Sequence, residues 1–183
     1  NGCKECPYLD RYAPLEEDNA SSIWNIKKDI YKDLDIDIVV ASQWMYDMVK
    51  KSPLTKHFER VHLIPFGIDL DLFKRKENRE EIRKRLGISK GNFVIMFRQA
   101  QDWKGITEIK EMLKALNIEK PVTILTVGGT GMIDEFKDKY QVIEYEWVND
   151  NNLMVELYSA SDLFLMPSVA EAFGLMAIEA MAC

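Results

Sequence analysis

The chain has 183 residues, of which 47% are hydrophobic and 30% charged, and its formal net charge is −6. This composition is typical of a soluble globular protein with one domain, or one domain and part of another. The negative charge argues against nucleic acid or an anionic membrane as the main partner. No apolar run approaches the roughly 20 residues of a membrane span.

The ends of the chain and its cysteines give the next expectations. It starts at Asn1 without a recognisable signal peptide and stops within a predicted helix at Cys183, so we expect a fragment of a longer protein. Three cysteines do not make a disulfide framework. A reduced, cytoplasmic setting is therefore the default, with the inner face of the membrane as an alternative.

Cys3 and Cys6 form a C-x-x-C pair near the start of the chain. Thiolates at this spacing are half of a zinc knuckle, but the other half is not in the sequence. A metal site, a redox pair and an inert remnant are all open interpretations.

The first 65 residues alternate between helical and extended patterns. The predicted elements are a helix at 21–31, a strand at 37–42, a helix at 43–50 and a strand at 61–65. Ser42 has the position and chemistry of an N-cap for the second helix. His62 alternates with apolar neighbours, which indicates a partly exposed strand residue rather than a ligand.

A turn-rich connector with apolar anchors spans residues 66–78, and its composition indicates a domain boundary. It leads into a charged helix at 78–86, which Gly87 closes. Residues 74–90 are locally basic. A solvated helix face is the simpler interpretation, and a patch for a membrane surface or an acceptor is the alternative.

The rest of the chain alternates short apolar strands with helices. The predicted strands are 92–97, 121–127, 141–148 and 163–166, and the predicted helices are 106–116, 132–140, 151–159 and a last one from about Gly174. This alternation predicts an α/β fold, a Rossmann-like parallel sheet with helices on both faces. Ligands of such sheets bind above the carboxyl ends of the strands, at loops 98–105, 128–131, 148–151 and 167–174.

Two cations follow the first of these strands. Arg98 comes directly after it and Lys104 precedes the next helix, so both fall at the carboxyl edge of the predicted sheet. A nucleotide diphosphate leaving group needs its developing charge neutralised, and two cations with helix N–H groups can do this without a metal. An unrelated surface pair is the alternative.

The turn Gly128-Gly129-Thr130-Gly131 could bring backbone close to a ligand or simply join a strand to a helix. Ile133 stands where the third glycine of G-x-G-x-x-G would be, so the motif supports dinucleotide binding only weakly. Trp103 and Trp147 could stack on a base, with core or rim packing as the alternative.

Two carboxylates, Glu171 and Glu179, stand eight residues apart in the closing stretch. Helix-forming residues begin at about Gly174, which places Glu171 in the preceding loop and Glu179 inside the helix. A helix N-terminus favours a phosphate group. The two carboxylates would therefore bracket a sugar nucleotide, Glu171 on the side of the sugar and Glu179 on the side of the ribose.

The assembled pattern resembles the GT-B glycosyltransferases, specifically the large retaining family called group 1 or GT4. The resemblance covers about residues 36–183 and is carried by Ile64–Asp69 with Phe73, Arg98 with Lys104-Gly105, Val127-Gly128-Gly129, Leu157–Ser168, and Glu171 to Glu179. The Cys-x-x-Cys-Pro start, followed by Ser42-Gln43-Trp44, is similar to a bacterial exopolysaccharide or colanic-acid-type branch.

The resemblance implies a domain organisation and a set of roles. Residues 1–65 would be the end of the acceptor-side N-terminal domain, 66–78 the interdomain linker, and 79–183 a truncated donor-binding domain. Arg98 and Lys104 would hold the donor phosphates, and Glu171, the third catalytic residue, would contact the transferred sugar. The implied donor-binding residues are Gly128, Gly129, Phe173, Gly174, Leu175 and Glu179, of which Glu179 would bind the ribose.

The implied reaction moves a sugar from a UDP-, GDP- or ADP-sugar to a saccharide or lipid-linked acceptor in polysaccharide biosynthesis. It retains the anomeric configuration by a front-face route in which the leaving phosphate helps deprotonate the acceptor. No metal or other cofactor is expected, nor is nucleic acid. Peripheral membrane association stays open, and the fragment itself is expected to bind nucleotide weakly without turnover.

The sequence also departs from the family pattern. Phe66 takes the place of the usual linker asparagine. Phe97 and Gln99 flank Arg98 where small residues are usual, and the glycine often found near Glu146 or Trp147 is missing. Neither histidine matches the acceptor-side histidine of the family. The alternatives are a sugar-nucleotide-binding protein without catalysis, another GT-B enzyme such as a sugar-nucleotide epimerase, and an interaction module built on the C-x-x-C pair.

Overall fold

The computed structural model describes Cys6, Leu9 and residues 16–100 and 102–183. The chain divides into two compact units, with the division between Phe66 and Gly67. In the described part of the chain, no helix is both long and apolar enough to cross a membrane.

The predicted cysteine pair is described only in part. Cys6 is a free thiol, and Cys3 lies outside the described residues. Across those ranges, no group of three or more His, Cys, Asp or Glu side chains is arranged to hold a metal ion. The metal and redox interpretations of the pair stay predictions.

The first unit is built from two helices and a short parallel strand pair. Its elements are α1 (Ala20–Lys32), β1 (Ile38–Val40), α2 (Gln43–Lys51) and β2 (Val61–Leu63). Ser42 caps α2 as predicted, because its hydroxyl accepts a hydrogen bond from the Met45 N–H at 3.3 Å. Val40 and Phe58 are buried in this unit.

His62 lies on β2 with its side chain half exposed, as its sequence pattern predicts. Its Nε2 stands 2.8 Å from Asp37, which also accepts a hydrogen bond from Arg60 Nε at 3.0 Å. These two partners, His62 first, hold the pKa of the Asp37 carboxyl below its ordinary value. The cluster is therefore a surface ion-pair network.

The second unit is the α/β sheet domain that the sequence predicts. Its elements are α3 (Arg79–Arg85), β3 (Phe93–Arg98), α4 (Ile106–Ala115), β4 (Val122–Val127), β5 (Gln141–Glu144), α5 (Asn151–Ala160), β6 (Leu163–Leu165) and α6 (Leu175–Ala182). All strand pairs in it are parallel, in the order β5-β4-β3-β6.

Successive side chains of β3 point to opposite faces of the sheet, and each face is covered by helices. Val94 and Met96 pack in one cluster with residues of α3 and α5. Ile95 and Phe97 pack in another with residues of α4 and of the segment before β5. Because the strand is buried on both sides, it reads as a continuous apolar run rather than an alternating one.

The connector at 66–78 belongs to the second unit from Gly67 onward. Phe73 is buried with Ile82 of α3 in the cluster on one face of the sheet. Asp69 shapes the turn, because its carboxylate accepts hydrogen bonds from the N–H groups of Asp71 at 2.9 Å and Leu72 at 3.2 Å. The apolar anchors of the connector are thus part of a folded core.

Two cations of the basic stretch 74–90 make structural contacts within the second unit. Arg79 and Arg83 both pair with Asp162, at 2.6 and 2.8 Å. They also donate to the carbonyl groups at the end of α5, Arg79 to Ser159 and Arg83 to Ala160, each at 2.9 Å. Cations favour this end of a helix because its carbonyl groups are unpaired and its dipole is negative.

The predicted helix at 132–140 is wrong. The segment holds only a short 3₁₀ turn at Asp134–Phe136, with hydrogen bonds of the i to i−3 type at Phe136 and Lys137. The helix-like spacing in the sequence has another cause. Ile133, Phe136 and Tyr140 are buried on the sheet by a series of turns.

Candidate functional site

The carboxyl ends of the four parallel strands meet at one edge of the sheet. The chain moves outward from β3 through β4 to β5 and then returns to place β6 on the other side of β3. Such a reversal opens a crevice between the two neighbouring strands, here β3 and β6. Arg98 ends β3, and the loops leading to α4 and α6 border this crevice.

The loops after β3 and β6 are in close contact at Gly105. This glycine is buried at the N-terminus of α4, with a φ of 85°. A Cβ atom added there would overlap the Pro167 carbonyl oxygen and stand 2.7 Å from Pro167 Cγ. The Val169 N–H also donates to the Trp103 carbonyl at 3.1 Å. The two loops are therefore fixed against each other.

Lys104 and Glu171 form an ion pair across these loops. The Lys104 side chain is 13% exposed and that of Glu171 is 30% exposed. The Ser168 hydroxyl donates to the same Glu171 oxygen at 3.1 Å, and the Lys104 ammonium stands 4.4 Å from the centre of the Trp103 ring. One predicted phosphate ligand and one predicted sugar ligand thus pair with each other.

Gly174 starts the closing helix where the sequence predicts it. Its φ is 88°, and an added Cβ would stand 2.7 Å from Met166 Cε. The segment around Phe173 is a bend, and α6 follows from Leu175. Glu171 therefore lies in the loop and Glu179 within the helix, as predicted.

A cavity of about 330 Å³ lies at this edge, between the carboxyl ends of β3 and β4 and the first turns of α5 and α6. That volume is in the range of small-molecule sites. Its lining is partly polar and partly apolar, and comprises Arg98, Val127, Gly128, Trp147, Val148, Asn151, Met154, Leu175, Met176 and Glu179. The sequence interpretation selected Arg98, Gly128, Leu175 and Glu179 on separate grounds, and the fold brings them to one cavity.

Arg98 lies between a glycine and an aromatic ring. Gly128 has a φ of 89°, and an added Cβ would stand 3.1 Å from Arg98 Cγ, so the glycine makes room for this side chain. The guanidinium carbon is 5.1 Å from the centre of the Trp147 ring. Among the described residues, the buried Arg98 Nε has no hydrogen-bond partner. An unpaired buried donor calls for an acceptor, which the described residues do not supply.

Trp147 lies outside the core, at an exposed position beside the cavity, so both rim packing and stacking on a base stay open for it. It lines the cavity with 64% of its surface exposed, and its Nε1 donates to the Asn149 side chain at 2.7 Å. One face of the indole is against Arg98.

Glu179 has a partner that the sequence interpretation missed. The Tyr158 hydroxyl donates to Glu179 Oε2 at 2.8 Å. Burial, and then the Glu179 charge, raise the pKa of this phenol. The two residues are 21 positions apart, on α5 and α6, so no local sequence pattern joins them.

A buried polar network, also missed, supports the glycine turn. Gln99 is fully buried, donates to Glu144 at 2.6 Å and accepts from the Met132 N–H at 3.0 Å. Glu144 accepts in turn from the Gly131 N–H at 2.9 Å. Burial raises the pKa of the Glu144 carboxyl, but hydrogen bonds from Gln99, Lys137 and Gly131 outweigh it and lower that pKa.

This network gives a structural reason for the unusual residue after Arg98. The Gln99 amide occupies space that a small side chain would leave open, and it holds the turn by its backbone. Of the two predicted glycines, Gly128 lines the cavity, whereas Gly129 lies against Gln99. The departure from the family pattern therefore belongs to the packing beneath the cavity.

The fold and the edge site define a class of protein, the GT-B glycosyltransferases. The chain aligns over its whole length with 52% of WaaG, a glycosyltransferase involved in lipopolysaccharide biosynthesis, at a TM-score of 0.70 and 20% identity. A sucrose-phosphate synthase from Thermosynechococcus elongatus matches 92% of the chain and 44% of its own, at a TM-score of 0.69 and 24% identity. HepE from Anabaena, solved with UDP and glucose, matches 88% of this chain over 46% of its own length. The TM-score is 0.67 and the sequence identity is 22%.

Residues 78–183 match the family described as Glycosyl transferases group 1, and the chain belongs to that family. The predicted fold class, a parallel α/β sheet with helices on both faces, is confirmed. The interpretation of residues 1–65 as the end of a second GT-B domain stays a prediction.

Relatives found by sequence are also named as glycosyltransferases or as synthases of glycolipid and glycogen. A D-inositol 3-phosphate glycosyltransferase 1 from Catenulispora acidiphila is 32% identical over 142 residues, covering 68% of this chain and 34% of the relative. An alpha-galactosylglucosyldiacylglycerol synthase from Streptococcus pneumoniae is 28% identical over 138 residues, which cover 68% of this chain and 36% of the relative. A glycogen synthase from Clostridium botulinum is 31% identical over 113 residues, which cover 54% of this chain and 22% of the relative. The chain spans about a fifth to a third of these relatives' length.

Proposed function

We propose that the chain is the donor-binding part of a glycosyltransferase that moves a sugar from a nucleotide diphosphate sugar to a carbohydrate or lipid-linked acceptor. The observation that carries this proposal is the cavity in which Arg98, Gly128, Trp147 and Glu179 meet. It stands at the carboxyl edge of a parallel sheet, where α/β proteins bind nucleotides.

The diphosphate is assigned to the cationic end of the site. Arg98 Nε is a buried donor without an acceptor in the described part of the chain, and a phosphate oxygen would satisfy it. Lys104 supplies a second cation from the loop that follows β3. Two fixed cations favour the charge that develops on a departing nucleoside diphosphate, and this is the catalytic contribution we assign to them.

The nucleoside is assigned to the other end of the cavity. The exposed face of the Trp147 ring offers a flat apolar surface for a base, and the Glu179 carboxylate can accept hydrogen bonds from ribose hydroxyls. Phe173, Gly174 and Leu175 at the start of α6, with Gly129 beside the cavity, are proposed as backbone neighbours of the donor. Glu171 is proposed to contact the transferred sugar once Lys104 has turned to the phosphate.

The proposed reaction retains the anomeric configuration and uses no protein nucleophile. Under this proposal the leaving phosphate takes the acceptor proton, and the protein contributes positioning and electrostatics. The work of a divalent cation is assigned to Arg98 and Lys104, so we propose that the reaction needs no metal. Addition of EDTA should then leave turnover unchanged.

The donor is proposed to be a UDP-sugar, which a fold neighbour solved with UDP-glucose supports, with GDP- and ADP-sugars as the other candidates. The acceptor is left as a class. The named relatives act in inositol phosphate, glycolipid and glycogen chemistry, which supports a carbohydrate or lipid-linked acceptor in polysaccharide biosynthesis. An acceptor of that kind agrees with a site in the cytoplasm or at the inner face of a membrane.

A thermal-shift screen of the full chain with UDP, GDP, ADP and their sugars tests the donor proposal. One nucleotide series should raise the unfolding temperature, because a ligand at 100 times its Kd stabilises the folded state by about 2.7 kcal/mol. Absence of any shift, with no heat of binding in calorimetry at millimolar nucleotide, would refute the proposal. In the whole protein, NMR of the product's anomeric proton tests retention.

Replacement of Glu179 by glutamine tests the ribose assignment. Removing the charge should weaken nucleotide binding by about 1.5–3 kcal/mol at most, the usual worth of a charge-assisted hydrogen bond. Unchanged affinity for UDP and GDP in that variant would count against the assignment.

A further inference from the structure

We propose that Tyr158 is a positioning residue of the nucleotide site, which holds Glu179 so that its second carboxylate oxygen, Oε1, faces the ribose. This inference rests on the proposed nucleotide function. It adds a residue of α5 that does not itself line the cavity, whereas Asn151 and Met154 of the same helix do.

The Tyr158 ring is held rigidly beneath the cavity. The residue is 4% exposed, in the cluster on the α5 side of the sheet. Phe164 of β6 packs edge-on against it, with the ring centres 5.5 Å apart and an interplanar angle of 86°. A phenol ring has only two side-chain torsions, so its hydroxyl is fixed in space by this packing.

The direction of the hydrogen bond is set by chemistry. An ionised carboxylate only accepts, so the Tyr158 hydroxyl must donate to Glu179 Oε2, at 2.8 Å. Burial and the neighbouring carboxylate both raise the pKa of the phenol, which keeps the donated proton in place over the whole working range of pH.

The remaining oxygen of Glu179 is left for a ligand. Oε1 accepts no hydrogen bond from the residues that the structure describes, and Glu179 lines the cavity together with Arg98 and Trp147. A glutamate side chain has several rotatable bonds, and free rotation would spread Oε1 over many positions. With Oε2 tied to a rigid phenol, Oε1 is confined before the nucleotide arrives. Such preorganisation improves affinity by lowering the entropy that binding must remove.

The decisive experiment compares two ligands on the full chain. Tyr158→Phe removes only the hydroxyl and keeps the ring, so the packing against Phe164 is retained. The dissociation constants of UDP and 2′,3′-dideoxy-UDP are measured by calorimetry for both proteins, or the GDP or ADP pair if that base binds more tightly. The variant should bind UDP roughly tenfold more weakly and bind the dideoxy analogue unchanged, because the analogue has no ribose hydroxyl for Oε1 to accept from.

Tyr140→Phe is the matched control. It removes another buried phenol hydroxyl, one that donates to the Leu113 carbonyl at 2.8 Å on the opposite face of the sheet. Its effect on stability should resemble that of Tyr158→Phe, while both nucleotide affinities stay at the wild-type value. A Glu179→Ala background adds a second check, because Tyr158→Phe should cause no further loss of UDP affinity there.

The outcomes separate the inference from the function on which it rests. Equal losses for UDP and the dideoxy analogue in Tyr158→Phe, or no loss for either, would overturn the positioning role. If the wild-type protein binds no nucleotide of any base, the proposed function itself is refuted.

Discussion

Lys104 and Glu171 neutralise each other across two loops that follow different strands of the sheet. Under the proposed function, Lys104 serves the donor phosphate and Glu171 the transferred sugar. The residues proposed to bind the phosphate and the sugar pair with each other in this structure, and a bound donor must exchange that pair for contacts of its own. The ion pair competes with the substrate, which gives Glu171 an effect on nucleotide binding opposite in sign to its effect on transfer.

Glu171→Gln should therefore strengthen the binding of a nucleoside diphosphate that lacks the sugar, by about two- to fivefold. The reason is that Lys104 loses its neutralising partner and meets the phosphate without prior exchange, and partly exposed ion pairs are worth up to about 1 kcal/mol. Sugar transfer by the whole protein should fall when the same substitution is made there. Calorimetry with UDP and a transfer assay measure the two effects.

Glu135→Gln is the control for that experiment. Glu135 pairs with Lys110 at 3.0 Å, and both lie outside the cavity lining. It should change neither quantity. Weaker binding of UDP in Glu171→Gln would contradict the competition between the ion pair and the phosphate.

In the whole protein, Lys104→Ala should lower turnover by about a hundredfold or more while the unfolding free energy falls little. A fixed cation at a developing charge has an effect of this size on turnover, whereas a loop ion pair contributes little to folding. Turnover and chemical denaturation are measured side by side, with Lys110→Ala as the matched lysine. A protein that unfolds on this change would make Lys104 a structural residue instead.

Gly105→Ala tests the contact between the loops after β3 and β6. It should cost roughly 3 kcal/mol of unfolding free energy or more, because the added methyl group meets Pro167 in addition to the unfavourable positive φ. Gly91→Ala isolates the backbone effect. Gly91 has the same φ of 85° with nothing within 4 Å of an added Cβ, so about 1–2 kcal/mol is expected there. Equal losses in urea denaturation would mean that the loops separate freely.

Asp162 gives the protein an acid-labile contact. Burial raises its pKa, but a hydrogen bond from the Val94 N–H and the guanidinium groups of Arg79 and Arg83 lower it further than burial raises it. A carboxyl with a depressed folded pKa stabilises the protein fully above its unfolded pKa, and this stabilisation is lost as the pH falls through the folded pKa. The contribution is thus complete above about pH 5 and disappears below the ordinary value near 4.

Asp162→Asn should lower the unfolding free energy at pH 7 by about 2–3 kcal/mol, because it leaves two partly buried arginines without their charge partner. The variant should also lose less stability than the wild type between pH 5 and pH 3. Urea unfolding across that range gives both numbers. Parallel pH profiles for the two proteins would contradict the assignment.

The parallel sheet was predictable because β3 and β4 are buried on both faces and read as apolar runs between helices. The place of Glu171 in a loop and of Glu179 in a helix followed from local composition, which decides where a helix starts. The edge of the sheet that carries the site followed from topology alone. These features depend on residues close together in the chain.

The features that could not be predicted join distant residues. Tyr158 and Glu179 are 21 positions apart, and Lys104 and Glu171 are 67 apart. Each contact depends on the angle at which two elements pack, which no local pattern encodes. The segment 132–140 was mistaken for a helix because a series of turns can bury the same spaced apolar residues as a helix face.

The network under the glycine turn has an evolutionary consequence. The Gln99 amide and the Glu144 carboxylate satisfy each other and also the backbone of the turn, so neither residue can be replaced alone without leaving a buried polar group unpaired. A mutation that shrinks Gln99 would be tolerated mainly alongside one that removes the charge of Glu144. In proteins that diverge from this chain, substitutions at Gln99 and Glu144 should therefore occur together. Substitutions at Arg98, one residue away, should depend on the bound ligand instead.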